Sequence, residues 1–91
     1  MADQQVRHNE AAHRFEAGAP PHLARLDYRL KGESVDMIHT EVPDEYQGQG
    51  LAGELASAAL TWARESGRKV VASCPYVKSY IKKHPEFADL L

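Results

Sequence analysis

Between Leu23 and Lys31 apolar and polar residues alternate without a break. Ala24, Leu26, Tyr28 and Leu30 fall on one parity and Arg25, Asp27, Arg29 and Lys31 on the other. A period of two is the signature of a strand with one buried and one wet face. Lys31-Gly32-Glu33-Ser34 is a glycine-centred turn, so Val35 to Val42 returns as the antiparallel partner. Val35, Met37, Ile38 and Val42 do not keep strict parity, which predicts burial on both faces or a local bulge, and hence an interior strand. Pro43 ends it. The period then changes. Leu51, Leu55, Ala58, Ala59, Trp62 and Ala63 form one apolar stripe at helical spacing, predicting a helix from about Leu51 to Ser66 with Gly67 as its stop. Val70 to Cys74 reads as a buried strand. With a helix before it, it lies parallel to the preceding strand in a right-handed βαβ unit. Pro75 suits the first turn of a last helix reaching about Lys83, and His84-Pro85 closes it. The tail keeps Phe87, Leu90 and Leu91 and is expected to pack.

The first twenty residues are patterned more thinly. Val6, Ala11, Ala12 and Phe15 suit two short strands turning near Asn9-Glu10, and Ala17-Gly18-Ala19-Pro20-Pro21 reads as a loop. The sum is an α/β chain with a mixed sheet: N-terminal antiparallel strands, then a βαβ unit and a C-terminal helix.

Composition narrows what such a fold holds. With 91 residues the expectation is one domain over 1–91, too short for a TIM barrel or a complete doubly wound dinucleotide domain. Eleven Lys+Arg against 13 Asp+Glu leave a formal charge of −2, so no basic field calls for nucleic acid. The single cysteine, Cys74, excludes an internal disulfide and a thiolate-rich zinc site and suits a reducing compartment. No apolar run reaches the ~18–20 residues of a membrane span, and a cytoplasmic location is expected. His8, Glu10 and His13 in a hairpin have poor metal-ligand spacing, and no metal is expected.

The candidate chemistry centres on Gly48-Gln49-Gly50-Leu51-Ala52-Gly53, a literal G-x-G-x-x-G. A dinucleotide fingerprint follows directly on its strand and is answered by an acid ~20 residues later. Here Pro43–Gln47 intervenes, and Ser73-Cys74 stands where the acid should be. The G-K-[ST] of a Walker loop is also missing. What remains is a glycine loop at a helix N-terminus, whose free N–H groups and dipole suit a pyrophosphate.

Gln47-x-x-Gly50-x-Ala52, between a strand and a long amphipathic helix, resembles the [QR]-x-x-G-x-[GA] motif of the GNAT N-acetyltransferases. The strings His39-Thr40-Glu41-Val42-Pro43 and Cys74-Pro75-Tyr76-Val77-x-x-Tyr80 are similar to the short, single-domain YjdJ-like members. The resemblance runs from about Leu23 to the C-terminus. It implies acetyl-CoA as co-substrate, with the pyrophosphate on the backbone of Gln47, Gly48, Gln49, Gly50, Leu51, Ala52 and Gly53. The pantetheine arm would enter between splayed strands at Ile38–Val42 and Val70–Cys74, touching Thr40, Val42, Cys74, Tyr76 and Tyr80. A backbone N–H at or near Val42 would polarise the thioester. The acceptor would be an amine or protein of unknown identity, and the usual N-terminal helices around the acceptor pocket are absent from this sequence.

Acyl transfer to an amine needs a base and an acid. His39 and Glu41 share a face of their strand, and either suits the base. Cys74 precedes a helix N-terminus, where a thiolate is favoured; it suits an acyl-accepting nucleophile or a residue shaping the acetyl pocket. Tyr80, with Tyr76 as substitute, suits the acid that protonates the departing thiolate. The competing expectation from another class is a CoA-binding module with little or no catalysis.

Overall fold

The computed structural model describes residues 5–91. Five strands pair in sequence order: β1 (Arg7–Asn9), β2 (Arg14–Ala19), β3 (His22–Lys31), β4 (Ser34–Glu41) and β5 (Lys69–Ala72). The first three pairings are antiparallel and β4–β5 is parallel, so the sheet is mixed. Helix α1 (Leu51–Glu65) connects the parallel strands, and α2 (Pro75–Lys83) follows β5. Short 3-10 helices cover Asp44–Tyr46 and Pro85–Leu90.

The alternation of β3 sets the architecture. Ala24, Leu26 and Tyr28 are buried under α1 with Phe15, Ala17, Val35 and Met37. The register pairs Phe15 with Leu26, Ala17 with Ala24, and Tyr28 with Met37, so the buried side chains of three strands form one apolar face. Alternation turns Glu16, Arg25, Asp27, Asp36, His39 and Glu41 to the other face.

The broken parity of β4 is a bulge. Asp27 pairs with His39 and Tyr28 with Met37, leaving Ile38 unpaired between them. The parallel ladder with β5 ends at the same place, at Met37 opposite Ala72. Past the bulge, Cys74 N–H still reaches the Met37 carbonyl at 2.9 Å, and Thr40 Oγ1 lies 3.4 Å from Cys74 Sγ. The regular β4–β5 ladder therefore stops at the bulge.

Several boundaries differ from the sequence expectation. Ala17, Gly18 and Ala19 are not loop but the end of β2, paired with Ala24, Leu23 and His22. Only Pro20-Pro21 turns, through a cis bond. Small residues there weaken the strand signal, yet they are what lets Tyr46 lie against the sheet. The first hairpin turns over residues 10–13, with His13 at φ +56°, so the turn begins at Glu10 and runs three residues further than expected. Val71 is 46% exposed, so β5 is buried on one face only. Cys74 stands just before α2 and outside β5. Within α1, Ala56 and Leu60 are buried in addition to the expected stripe, because the helix also touches α2 and the last 3-10 helix. Leu90 and Phe87 pack there, as expected of the tail, whereas Leu91 is exposed.

Candidate functional site

The loop from Pro43 to Gly50 leaves β4 and delivers the start of α1. Gly48 and Gly50 adopt φ +79° and +75°, the left-handed region that disfavours any side chain. Nothing lies within 4 Å of a Cβ built on either, so both glycines answer to backbone conformation and leave open space above them. No side chain caps α1. Its first intrahelical bond runs from Glu54 N–H to the Gly50 carbonyl at 3.1 Å. The N–H groups of Leu51, Ala52 and Gly53 precede that bond and have no partner within the helix.

Three side chains hold the loop. Gln47 Nε2 donates to the Val42 carbonyl at 2.7 Å, closing the loop onto the end of β4. Tyr46 lies across Gly18, where a Cβ would stand 2.8 Å from the ring. Ala19 N–H donates to the Tyr46 hydroxyl at 3.4 Å, and Glu45 meets His22 at 3.2 Å. The β2–β3 hairpin thus supports the loop from below. Sequence reasoning missed Tyr46 and Gly18, because their contact joins positions 28 residues apart with no local pattern.

Val42, Tyr46, Gln47 and Gly48 line one side of a cleft of about 120 Å³. Gly50, Leu51, Ala52 and Gly53 line its helical side and Tyr76 completes it. Gly53 lets α2 approach: its Cβ position is 3.5 Å from Tyr76 Oη and 3.7 Å from Tyr80 Cε2. Burial holds the Tyr76 hydroxyl above its usual pKa, with Tyr80 and Cys74 pushing the same way. Gln49 turns aside, its Nε2 at 3.5 Å from the Glu45 carbonyl. Tyr80 stacks on His84 at 3.9 Å and leans toward Phe87.

The expected residues fall into two groups. Thr40, Val42, the loop, Cys74, Tyr76 and Tyr80 gather on the helical side, with Cys74 buried against Thr40. His39 and Glu41 share the opposite face, where His39 Nε2 meets Glu41 Oε1 at 3.3 Å and Arg25 meets the same oxygen at 3.2 Å. Both are exposed, about half of each side chain reaching solvent. Among the described residues no group of three or more His, Cys, Asp or Glu could hold a metal ion, and no helix is long and apolar enough to cross a membrane.

Comparison with known proteins supplies the context. NATD1 from Gallus gallus and from Mus musculus are each 47% identical over 63 residues, covering 68% of this chain and 57% of theirs. NATD1 from Danio rerio is 38% identical over 69 residues, covering 72% of this chain and 63% of its own. The aligned stretch thus spans less than two thirds of these relatives. The NMR solution structure of a GCN5-like protein from Staphylococcus aureus superposes with a TM-score of 0.77 at 30% identity, over 99% of this chain and 89% of that one. The profile of the family described as GCN5-related N-acetyl-transferase matches residues 14–90. This chain, with its glycine loop, bulged β4 and mixed sheet, belongs to the GCN5-related N-acetyltransferases.

Proposed function

We propose that this chain binds acetyl-CoA at the glycine loop and transfers its acetyl group to an amine. The observation that carries the reading is the uncapped start of α1 behind two left-handed glycines with open space above them. A phosphate group fits there: three N–H groups point outward, the helix dipole favours an anion, and no side chain obstructs approach. The bulge at Ile38 and the end of the β4–β5 ladder offer the pantetheine arm its entry.

Acetyl-CoA supplies an activated thioester, and the chain's residues supply position and protons. Val42 lies at the cleft, next to the strand end where a backbone N–H suits the thioester oxygen. Tyr76 lines the cleft, which places its hydroxyl to protonate a departing thiolate; Tyr80 is engaged with His84. The His39–Glu41 pair is the base for an acceptor arriving at the open face, with the Arg25 guanidinium 3.2 Å from the same Glu41 oxygen. Cys74 shapes the acetyl end of the cleft: it is buried against Thr40, which suits a wall better than a nucleophile. The affinity with the short, single-domain YjdJ-like enzymes rests on the sequence strings.

The exposure of His39 and Glu41 on a face apart from Tyr76 favours a second reading, a CoA-binding module with weak or no turnover. One series separates the outcomes. Acetyl-CoA and CoA should raise the melting temperature while NAD does not, because a ligand binding only the native state stabilises it by mass action. Thiol release from acetyl-CoA with a panel of amines then distinguishes enzyme from module. No thermal shift at millimolar CoA would overturn both.

A further inference from the structure

At the far end of α1 lies a cavity of about 290 Å³, larger than the cleft at the glycine loop. Leu51 and Trp62 are eleven residues apart on α1, roughly 16 Å along the axis, so the two recesses are separate. The walls of the far cavity include Trp62 and Tyr28, whose ring centroids are 4.9 Å apart, and Leu30, which is 39% exposed because α1 stops short of covering it. The β1–β2 turn brings Glu10 and His13 to one side, and the segment after α1 brings Ser66 and Arg68 to the other.

The turn is held in place. His13 sits at φ +56°, its N–H donates to the Glu10 carbonyl at 3.2 Å, and its carbonyl accepts from Tyr28 N–H at 3.0 Å. A left-handed non-glycine residue is retained only where its surroundings enforce it. The Tyr28 hydroxyl is taken by His8 Nε2 at 2.6 Å, so it serves as wall. Burial raises its pKa, Glu10 adds to the rise and Arg68 opposes it, so both charges act on the same hydroxyl from around the cavity.

The two charges do not meet. Arg68 Nη1 donates to the Gly32 carbonyl at 3.1 Å, and Glu10 lies 3.8 Å from the His8 imidazole. A carboxylate and a guanidinium facing one aromatic recess without pairing would each repel a simple anion or cation at one side. A zwitterion satisfies both. The volume is near the ~300 Å³ at which small-ligand sites begin, enough for one amino acid and too little for a nucleotide. We propose that this cavity binds a free α-amino acid with an apolar or aromatic side chain. Its carboxylate meets Arg68, its ammonium faces Glu10, and its side chain rests on Trp62, Tyr28 and Leu30. The inference is independent of the acetyl-CoA reading.

Trp62 is the single tryptophan of the chain, so its fluorescence reports on the cavity directly. Titration with L-phenylalanine, exciting the indole beyond phenylalanine absorption, should give a saturable change. N-acetyl-L-phenylalanine lacks the ammonium and phenethylamine lacks the carboxylate. Each should bind roughly tenfold or more weakly, the usual scale for one charge-assisted hydrogen bond. Arg68→Gln should weaken L-phenylalanine by a similar factor and leave phenethylamine unchanged. A flat titration of both fluorescence and the Trp62 indole NMR signal overturns the proposal. So does equal binding of all three compounds, which would mean an apolar recess only.

Discussion

At its N-terminus α1 meets a loop whose open polar groups are backbone, and at its C-terminus it meets a cavity built from side chains. In the first, Gly48 and Gly50 hold positive φ and leave N–H groups open. In the second, Glu10, Tyr28, Trp62 and Arg68 converge from a turn, a strand, a helix and a connection. A backbone site tolerates no new side chain but asks little of residue identity elsewhere. A side-chain site depends on identity at each wall and on the fold that assembles them. Substitutions at the two ends should therefore fail differently.

The strongest way to break the loop end is to disturb its support. Gly18→Val places a branched side chain at φ +92° with its Cβ 2.8 Å from the Tyr46 ring. Strain and overpacking together should cost about 2–5 kcal/mol in urea unfolding. The thermal shift with acetyl-CoA should vanish in the protein that still folds, while the Trp62 response to L-phenylalanine survives. Unchanged stability would show that Tyr46 does not prop the loop.

Gly50→Val probes the loop without a clash. Its Cβ points into open space, so the fold should lose only about 1–2 kcal/mol to the left-handed backbone. Acetyl-CoA affinity should nevertheless drop roughly tenfold or more, since the proposed site is made of these N–H groups. A variant that binds CoA normally would detach the loop from the proposed function.

The side-chain end should respond to pH. His8 stacks on Phe15 at 4.1 Å and donates to or accepts from Tyr28. Burial lowers its pKa from 6.5, and Glu10 opposes only part of that. The unfolded chain therefore takes up the proton first as pH falls through 6.5, and stability declines from there until the folded pKa is reached. Melting temperature should hold above neutrality and fall as the pH drops through 6.5. His8→Gln should flatten that slope; an unaltered slope would assign it to other groups.

The smallest effect is expected at Gly53→Ala. The new methyl would sit 3.5 Å from Tyr76 Oη, an ordinary contact, and alanine favours the helix by up to about 1 kcal/mol. Thermal unfolding should show a small gain. A loss would mean that α1 and α2 pack more tightly there than the distance allows.

Legibility in the sequence followed the range of the interaction. The α1 stripe, the β3 alternation and the glycine loop are local periodicities, and each is found where its residues place it. The bulge was visible as broken parity at Val35, Met37 and Ile38, one of two readings left open until the pairing of Asp27 with His39 chose it. Gly18 under Tyr46 carried no local mark. Nor did the parting of His39 and Glu41 from Cys74 across the sheet, although strand alternation already set Thr40 against His39. Leu30 keeps the parity of a buried residue and is half open, since exposure depends on where α1 ends above it.

By itself the sequence determined the elements, their order and a glycine loop at a helix N-terminus, because dihedral preference and side-chain period act within a few residues. The tertiary structure alone decided what stands opposite what. It set Tyr76 over the loop, Tyr46 on Gly18, and a carboxylate and a guanidinium around one tryptophan. Those pairings come from register and packing between distant segments, and no local pattern encodes them.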